Sequence, residues 1–337
     1  MSQIFLFLSA SLSSLIFSFL THRLFFKRKK FDPINHRSSH NSKATRSGGG
    51  GIMSTLFCIS LFHYFYEVLL FDYSLLIPLS IMFITGVYDD FYNADFKIKF
   101  FLQIIVAKIL IDQGYVIDQF YGILGLEQLP WFAAQLFTIF VFLVVINAIN
   151  FIDGIDGLAL SVTLYILIAY VLLNQNSPLI GFCTLCIGAL LPLFYFNFRK
   201  HKKVFLGDGG SLLLGTVCCI LIFDLLNIKT TLSYGLSINK AYLSILILAY
   251  PLTDLLRVFI IRIGQKKSPF LPDNNHLHHT LLRKIKSHAG VTGTITVFAM
   301  LFLILHLFAS RFVNDLYLVL FDIVILFFIA KNTVRKQ

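Results

Sequence analysis

The sequence predicts an all-α, polytopic integral membrane protein with about eleven transmembrane helices, ten at the lower count, forming one membrane-embedded domain over residues 1–337. Composition is the first reason. Hydrophobic residues make up 57% of the chain, charged residues only 13%, 37 of the 337 residues are Phe, and the mean hydropathy is +0.79. A water-soluble domain carries about twice that share of charge. The second reason is a succession of apolar runs long enough to span a bilayer, and the third is the placement of the basic residues between them.

The runs fall at 3–26, 50–70, 73–88, 98–117, 131–149, 158–174, 178–197, 210–227, 241–262, 291–310 and 315–331. The first is a membrane segment and not a cleavable signal peptide, because the charges Lys27-Arg28-Lys29-Lys30 follow it. Glycines 48–51 open the second. The third ends on Asp89-Asp90, and Lys97 and Lys99 lead into the fourth. The fifth passes into Asn147-Ala-Ile-Asn-Phe-Ile-Asp-Gly-Ile-Asp-Gly-Leu158, from which the sixth restarts. Arg199-Lys200 closes the seventh, Gly207-Asp-Gly-Gly-Ser211 introduces the eighth, and a polar connection at 263–290 separates the ninth from the tenth. Several runs are short or interrupted by Gly and Pro, which sets the lower count.

With eleven crossings and the N-terminus outside, every large basic cluster lies on one side. These are Lys27–Lys30 with Arg37, Lys43 and Arg46; Lys97 and Lys99; Arg199, Lys200, Lys202 and Lys203; Lys266, Lys267, Arg283, Lys284 and Lys286; and Lys331, Arg335 and Lys336. The other side keeps Lys229, Lys240 and Arg311. Such asymmetry predicts basic loops and the C-terminus in the cytoplasm, with the loops at 27–49, 89–98, 150–158, 198–210 and 263–290 forming an active site. The net charge of +11 then serves lipid headgroups and an anionic substrate; nucleic acid is not an expected partner. The five cysteines all lie in apolar runs; Cys183 and Cys186 form a CxxC with no second pair, which reads as packing rather than metal or redox chemistry.

The polar motifs all land on the cytoplasmic side. Asn147, Asn150, Asp153 and Asp156 recur every third residue, a stripe on a helix whose oxygens suit a hard cation such as Mg2+. Ionisable groups at membrane depth are costly to keep and mark sites more often than walls. Arg37-Ser-Ser-His40 and Thr45-Arg46-Ser-Gly-Gly-Gly-Gly51 come first along the chain; the glycines read either as a weak phosphate signal or as a flexible helix start. Asp89-Asp90, with Lys97, Lys99 and Gln103 beyond, are either solvated end groups or a reactive pair. Asp208 among three glycines is either an N-cap in a turn or a carboxylate that a metal-bound diphosphate can approach. His276, His278 and His279 could be surface residues or zinc ligands, but no cysteine or distal histidine pair completes a zinc site, and donors converging on phosphate fit better.

Together, in this order, these motifs resemble those of the polyprenyl-phosphate N-acetylhexosamine-1-phosphate transferases, over about Arg37 to His279. The Arg-Ser-Ser-His form is similar to the branch that primes O-antigen and related cell-surface glycans rather than to the peptidoglycan branch. Two positions depart from the family pattern: Ala44-Thr45-Arg46 lacks the proline of the usual Thr-Pro-Arg, and Phe91 stands where relatives often carry a basic residue. The resemblance implies that a lipid phosphate, undecaprenyl phosphate, attacks the β-phosphorus of a UDP-N-acetylhexosamine, releasing UMP. It implies Mg2+, with Mn2+ able to substitute, held by Asp208 and Asn150; Asp89 or Asp90 as base or lipid-phosphate positioner; and Lys99 and Arg46 on phosphate. His276, His278 and His279 would bind the diphosphate, while Asn147, Asp153 and Asp156 would face substrate or metal-bound water. UDP-GlcNAc or a 6-deoxy relative is the expected donor, the bacterial inner membrane the expected location, and membrane lipids and a second copy in a homodimer the further partners. The alternative class is a transporter or flippase of an anionic lipid-linked substrate. Against it, the acidic motifs cluster at one interface and not at the midplane, and no internal repeat relates the two halves.

Overall fold

The computed structural model describes residues 2–28, 31, 44–122, 125, 127–227, 232–236, 238–266, 268 and 275–335; Arg37–His40 and Pro272–Asn274 lie outside them. Among the described residues the α-helices are α1 (Gln3–Lys27), α2 (Gly48–Phe65), α3 (Leu76–Tyr92), α4 (Phe96–Asp112), α5 (Trp131–Ile152), α6 (Leu158–Leu173) and α7 (Ile180–Asn197). They continue with α8 (Gly207–Leu225), α9 (Lys240–Ile247), α10 (Ala249–Gly264), α11 (Leu277–Ile285), α12 (His288–Ala309) and α13 (Asp315–Arg335). Short 3-10 turns at Tyr73–Leu75 and Ser233–Gly235 and one parallel pair of two-residue strands, β1 (Ala44–Thr45) and β2 (Lys203–Val204), accompany them. The chain is thus an all-α membrane protein, and each of the eleven apolar runs coincides with a helix or, for 241–262, with two.

Length and composition are more restrictive than the runs suggested. Among the described residues six helices suffice to cross a bilayer by themselves: α1, α3 with the turn before it, α5, α7, α8 and α12. The pair α9 and α10, bent by 73°, would make a seventh. The 16 residues of α6 reach only about 24 Å against a hydrocarbon core of about 30 Å.

Helix α8 is the centre of the bundle. It is apolar on all sides and buried along nearly its whole length, and it packs on α2, α3, α5 and α6. Cys218 and Cys219 on it, like Cys183 and Cys186 on α7, are buried free thiols, which is the packing role. Small residues set how closely the helices approach, as is usual where neighbouring apolar helices gain little from excluding water. A Cβ on Gly86 of α3 would sit 2.2 Å from the Asp208 carbonyl oxygen, and one on Gly49 would sit 2.4 Å from the Gly210 nitrogen. The glycines of 48–51 and 207–210 therefore bring α2, α3 and α8 to backbone contact. On the far side of α2, α1 packs against α7, with Ser14 Oγ donating to the Ala189 carbonyl at 2.6 Å. Phe91 packs its ring on Phe25 of α1 with centroids 5.3 Å apart.

Candidate active site

The strand pair brings distant parts of the chain to the same end of the bundle. Ala44 pairs with Lys203 and Thr45 with Val204; Gly48 and Gly49 then donate their N–H groups to the carbonyls of Phe205 and Leu206 at 2.9 and 3.0 Å. Arg46 and the start of α8 are held side by side as a result.

Helix α3 ends beside them, stopped by Asn93 in the left-handed conformation at φ 51°. Its last-turn carboxylates point to different partners. Asp90 is buried; it takes Arg46 Nη1 at 3.2 Å and the N–H of Gly209 at 3.1 Å. Asp89 accepts from the Ala94 N–H at 2.9 Å and from Lys99 Nζ at 2.5 Å. Lys99, from the first turn of α4, also lies 3.8 Å from Asp208 and so bridges two carboxylates. Asp208 receives Asn150 Nδ2 at 2.9 Å, and the same nitrogen donates to Ser211 Oγ at 2.7 Å. Arg46, Asp89, Asp90, Lys99, Asn150 and Asp208 are thereby brought together from five segments.

The expected helical stripe is corrected at its middle. α5 stops at Ile152, and Asp153 caps it with φ −75° and ψ 36°; Gly157, at φ 73°, then starts α6. The four polar residues consequently diverge. Asn147 ties α5 to α4 through Gln103 Oε1 at 3.0 Å, while Asn150 turns to α8. Asp156 is buried in an ion pair with Lys203 and lies 2.9 Å from His288 Nδ1. Burial opposes its ionisation, but the hydrogen bonds from His288 and Lys203 outweigh burial and hold its carboxyl below the usual range. Asp153 behaves oppositely. Burial first, and then the negative charges of Asp208 and Asp90, push its carboxyl well above the ordinary value.

That surplus of negative charge is the test for a divalent cation. Even with Asp153 left out of the count, Asp89, Asp90 and Asp208 face two cationic side chains, Lys99 and Arg46, so the charges do not balance within this cluster. The donors are hard oxygens, which fits Mg2+. With its nitrogen committed to Asp208 and Ser211, Asn150 could offer a cation only its amide oxygen.

The histidines complete the rim. A Cβ on Gly154 would lie 2.6 Å from His278 Nε2 and 3.1 Å from His279 Nε2, so both rings rest on the turn between Asp153 and Asp156. Burial, followed by the neighbouring charges of His278 and His276, pushes His279 down to about 4; burial also lowers His278. His276 is anchored on a residue that sequence reasoning passed over, Asp254 of α10, whose Oδ2 lies 2.9 Å from His276 Nδ1. Donor atoms of Asp254, His276 and His278 lie within 4.8 Å of one another. The 2.9 Å separation is nonetheless a hydrogen-bond length, shorter than the roughly 3.3 Å between two ligands of one tetrahedral zinc ion. Asp254 interrupts an apolar run, so the rule that singled out 147–158 applied to it as well. Lys203 and His288 gave no such signal: each reads as one more charge in a basic loop.

The profile of glycosyl transferase family 4 matches residues 73–226. An undecaprenyl-phosphate alpha-N-acetylglucosaminyl 1-phosphate transferase of Pasteurella multocida is 31% identical over 272 residues, 78% of this chain and 72% of its own length. The protein of that name from Escherichia coli K12 is 29% identical over 291 residues, 80% and 75% of the two chains. A probable undecaprenyl-phosphate N-acetylglucosaminyl 1-phosphate transferase of Bacillus subtilis is 29% identical over 287 residues, 84% and 78%.

Proposed function

This chain belongs to glycosyl transferase family 4, the polyprenyl-phosphate N-acetylhexosamine-1-phosphate transferases, and from that premise we propose that it transfers N-acetylglucosamine 1-phosphate from UDP-GlcNAc to undecaprenyl phosphate. An oxygen of the lipid phosphate forms a bond to the β-phosphorus while the bond from that phosphorus to the bridging oxygen breaks. UMP leaves with the electron pair, and undecaprenyl-diphospho-N-acetylglucosamine remains in the membrane.

The observation that supports this reading best is the meeting of Asp89, Asp90, Lys99, Asn150 and Asp208 at one end of the bundle. An anion attacking another anion needs its charge neutralised before anything else. Lys99 and Arg46 supply positive charge fixed by carboxylates, so little reorganisation is needed when phosphate arrives. Asp208 and the amide oxygen of Asn150 would hold Mg2+, which when bound withdraws charge from the diphosphate and stabilises departing UMP. Asp89 and Asp90 place the lipid phosphate for direct attack, with no covalent enzyme intermediate. His278 and His279, against Gly154, hold the diphosphate from the opposite rim.

In this account the site faces the cytoplasm from the bacterial inner membrane, the N-terminus is outside, and the product primes a cell-surface glycan such as O-antigen. The experiment is UMP release by purified protein given undecaprenyl phosphate, Mg2+ and a panel of UDP-sugars. Release with UDP-GlcNAc and with no non-acetylated hexose is expected; no release with any UDP-sugar would overturn the proposal.

A further inference from the structure

Asp254 of α10 lies inside an apolar segment and is buried, at 1% exposure. Its two oxygens are both used at the start of α11. Oδ1 accepts the N–H of Leu277 at 2.7 Å, and Oδ2 lies 2.9 Å from His276 Nδ1 and 3.6 Å from His278 Nδ1. Three residues on, Arg257 donates to the carbonyl of Asn275 at 2.5 Å, so one face of α10 fixes the first residues of the His-Leu-His-His segment. No side chain of α11 itself caps that helix; the cap comes from Asp254. A carboxylate at a helix N-terminus is also favoured by the helix dipole.

The consequence reaches the ring of His278. It is fully buried, the His276 ring stacks on it at 5.3 Å, and its Nδ1 faces Asp254 and the Tyr250 hydroxyl, the latter at 3.4 Å. Its Nε2 is buried with no hydrogen-bond partner among the described residues and is directed at Gly154. A buried imidazole nitrogen without a partner is costly in a folded protein unless a ligand supplies one. The groups around the ring are Asp254 and Tyr250 from α10, His276 and His279 from α11, and Asp153 and Asp156 on either side of Gly154.

We propose that Asp254 is a positioning residue for the donor's diphosphate: it holds His276 by Nδ1 and sets its charge 3.6 Å from the Nδ1 of His278, so that the Nε2 of His278 meets a phosphate oxygen. The assignment rests on the transferase reading above. An ionised phosphate carries no proton to donate, so His278 takes up a proton as the ligand binds. Its Nε2–H then donates to phosphate, and its Nδ1–H turns to Asp254, whose charge balances the imidazolium. Asp254 lies beyond residues 73–226, the part of the chain that the family profile matches.

A double-mutant cycle on the full-length protein in detergent, with UDP as the probe, tests the assignment. Asp254→Asn should weaken UDP by about tenfold or more, the loss of one charge-assisted contact, and should raise KM for the UDP-sugar while leaving KM for the lipid phosphate unchanged. In a His278→Ala background the same substitution should cost less than threefold, because the ring it positions is gone. Equal losses in both backgrounds would make Asp254 a purely structural residue and overturn the assignment, as would an unchanged affinity in Asp254→Asn. Should Asp254→Asn fail to fold, Asp254→Glu keeps the charge, displaces it by one methylene and is judged by the same cycle. Wild-type protein that neither binds UDP nor releases UMP would refute the transferase reading itself, an outcome separate from these.

Discussion

At the scale of single residues, carboxylates of the same type are put to opposite uses. Asp208 keeps about a third of its side chain exposed and shares Lys99 with Asp89, the position expected of a metal ligand. Asp208→Asn removes the charge and keeps the shape, so turnover should fall below a few per cent at saturating Mg2+ while thermal stability in detergent is retained. UMP release and a melting curve on the same preparation check both halves. Asp156 has its charge satisfied internally by Lys203 and His288. Its carboxyl is depressed below the ordinary value, so its contribution to stability is present above the unfolded value of about 4 and is lost as pH falls through the folded one. Asp156→Asn should therefore lower Tm by a similar amount at pH 7 and pH 5, with the gap to wild type closing only below about pH 4. A gap that vanished already at pH 5 would contradict the ion-pair assignment. The residue types of the site were legible because carboxylates and amides stand out in an apolar chain. Their partners were not: Asn147 and Asp156 look like Asn150 and Asp208 in sequence, and only packing separates a residue tied to Gln103 or Lys203 from one facing the site.

At the scale of elements, glycine decides how near the helices come. Gly86 and Gly293 are both helical, yet a Cβ on Gly86 would meet the backbone of Asp208 at 2.2 Å, whereas one on Gly293 would meet nothing within 4 Å. Gly86→Ala should push α3 from α8, destabilise the protein by about 1–3 kcal/mol and lower activity, because Asp89 and Asp90 move with α3. Gly293→Ala should leave Tm unchanged or slightly raised. Equal effects of the two substitutions on Tm would show that the α3–α8 contact does not set the fold. The helices themselves were readable from apolar runs, and every run became helix. Their ends were less so, because the break between α9 and α10 and the stop of α5 at Ile152 depend on what each segment packs against. The two short strands left no pattern in the sequence, since two residues are too few for an alternation.

At the scale of the whole molecule, the account requires the Asp-rich cluster and the histidine rim to lie on one side of the membrane, and that side to be the cytoplasmic one. Four native cysteines are buried, so replacing exposed Cys58 gives a usable background for labelling. Cysteines introduced by Lys202→Cys and Ser287→Cys should resist an impermeant thiol reagent in intact cells, and Asn176→Cys should react. Reaction of Ser287→Cys from outside would put α11 and the start of α12 on the wrong side. The expected sidedness rests on the distribution of Lys and Arg between the runs, a property of the whole chain that no single motif carries. The central claim is that a sugar phosphate moves, and not a sugar alone. UDP-GlcNAc labelled with 32P at the β-phosphorus, incubated with the protein, undecaprenyl phosphate and Mg2+, reports on that bond directly. The account predicts label in the lipid phase, one per UMP released. Label that stays in the aqueous phase as UDP, with sugar in the lipid, would contradict it.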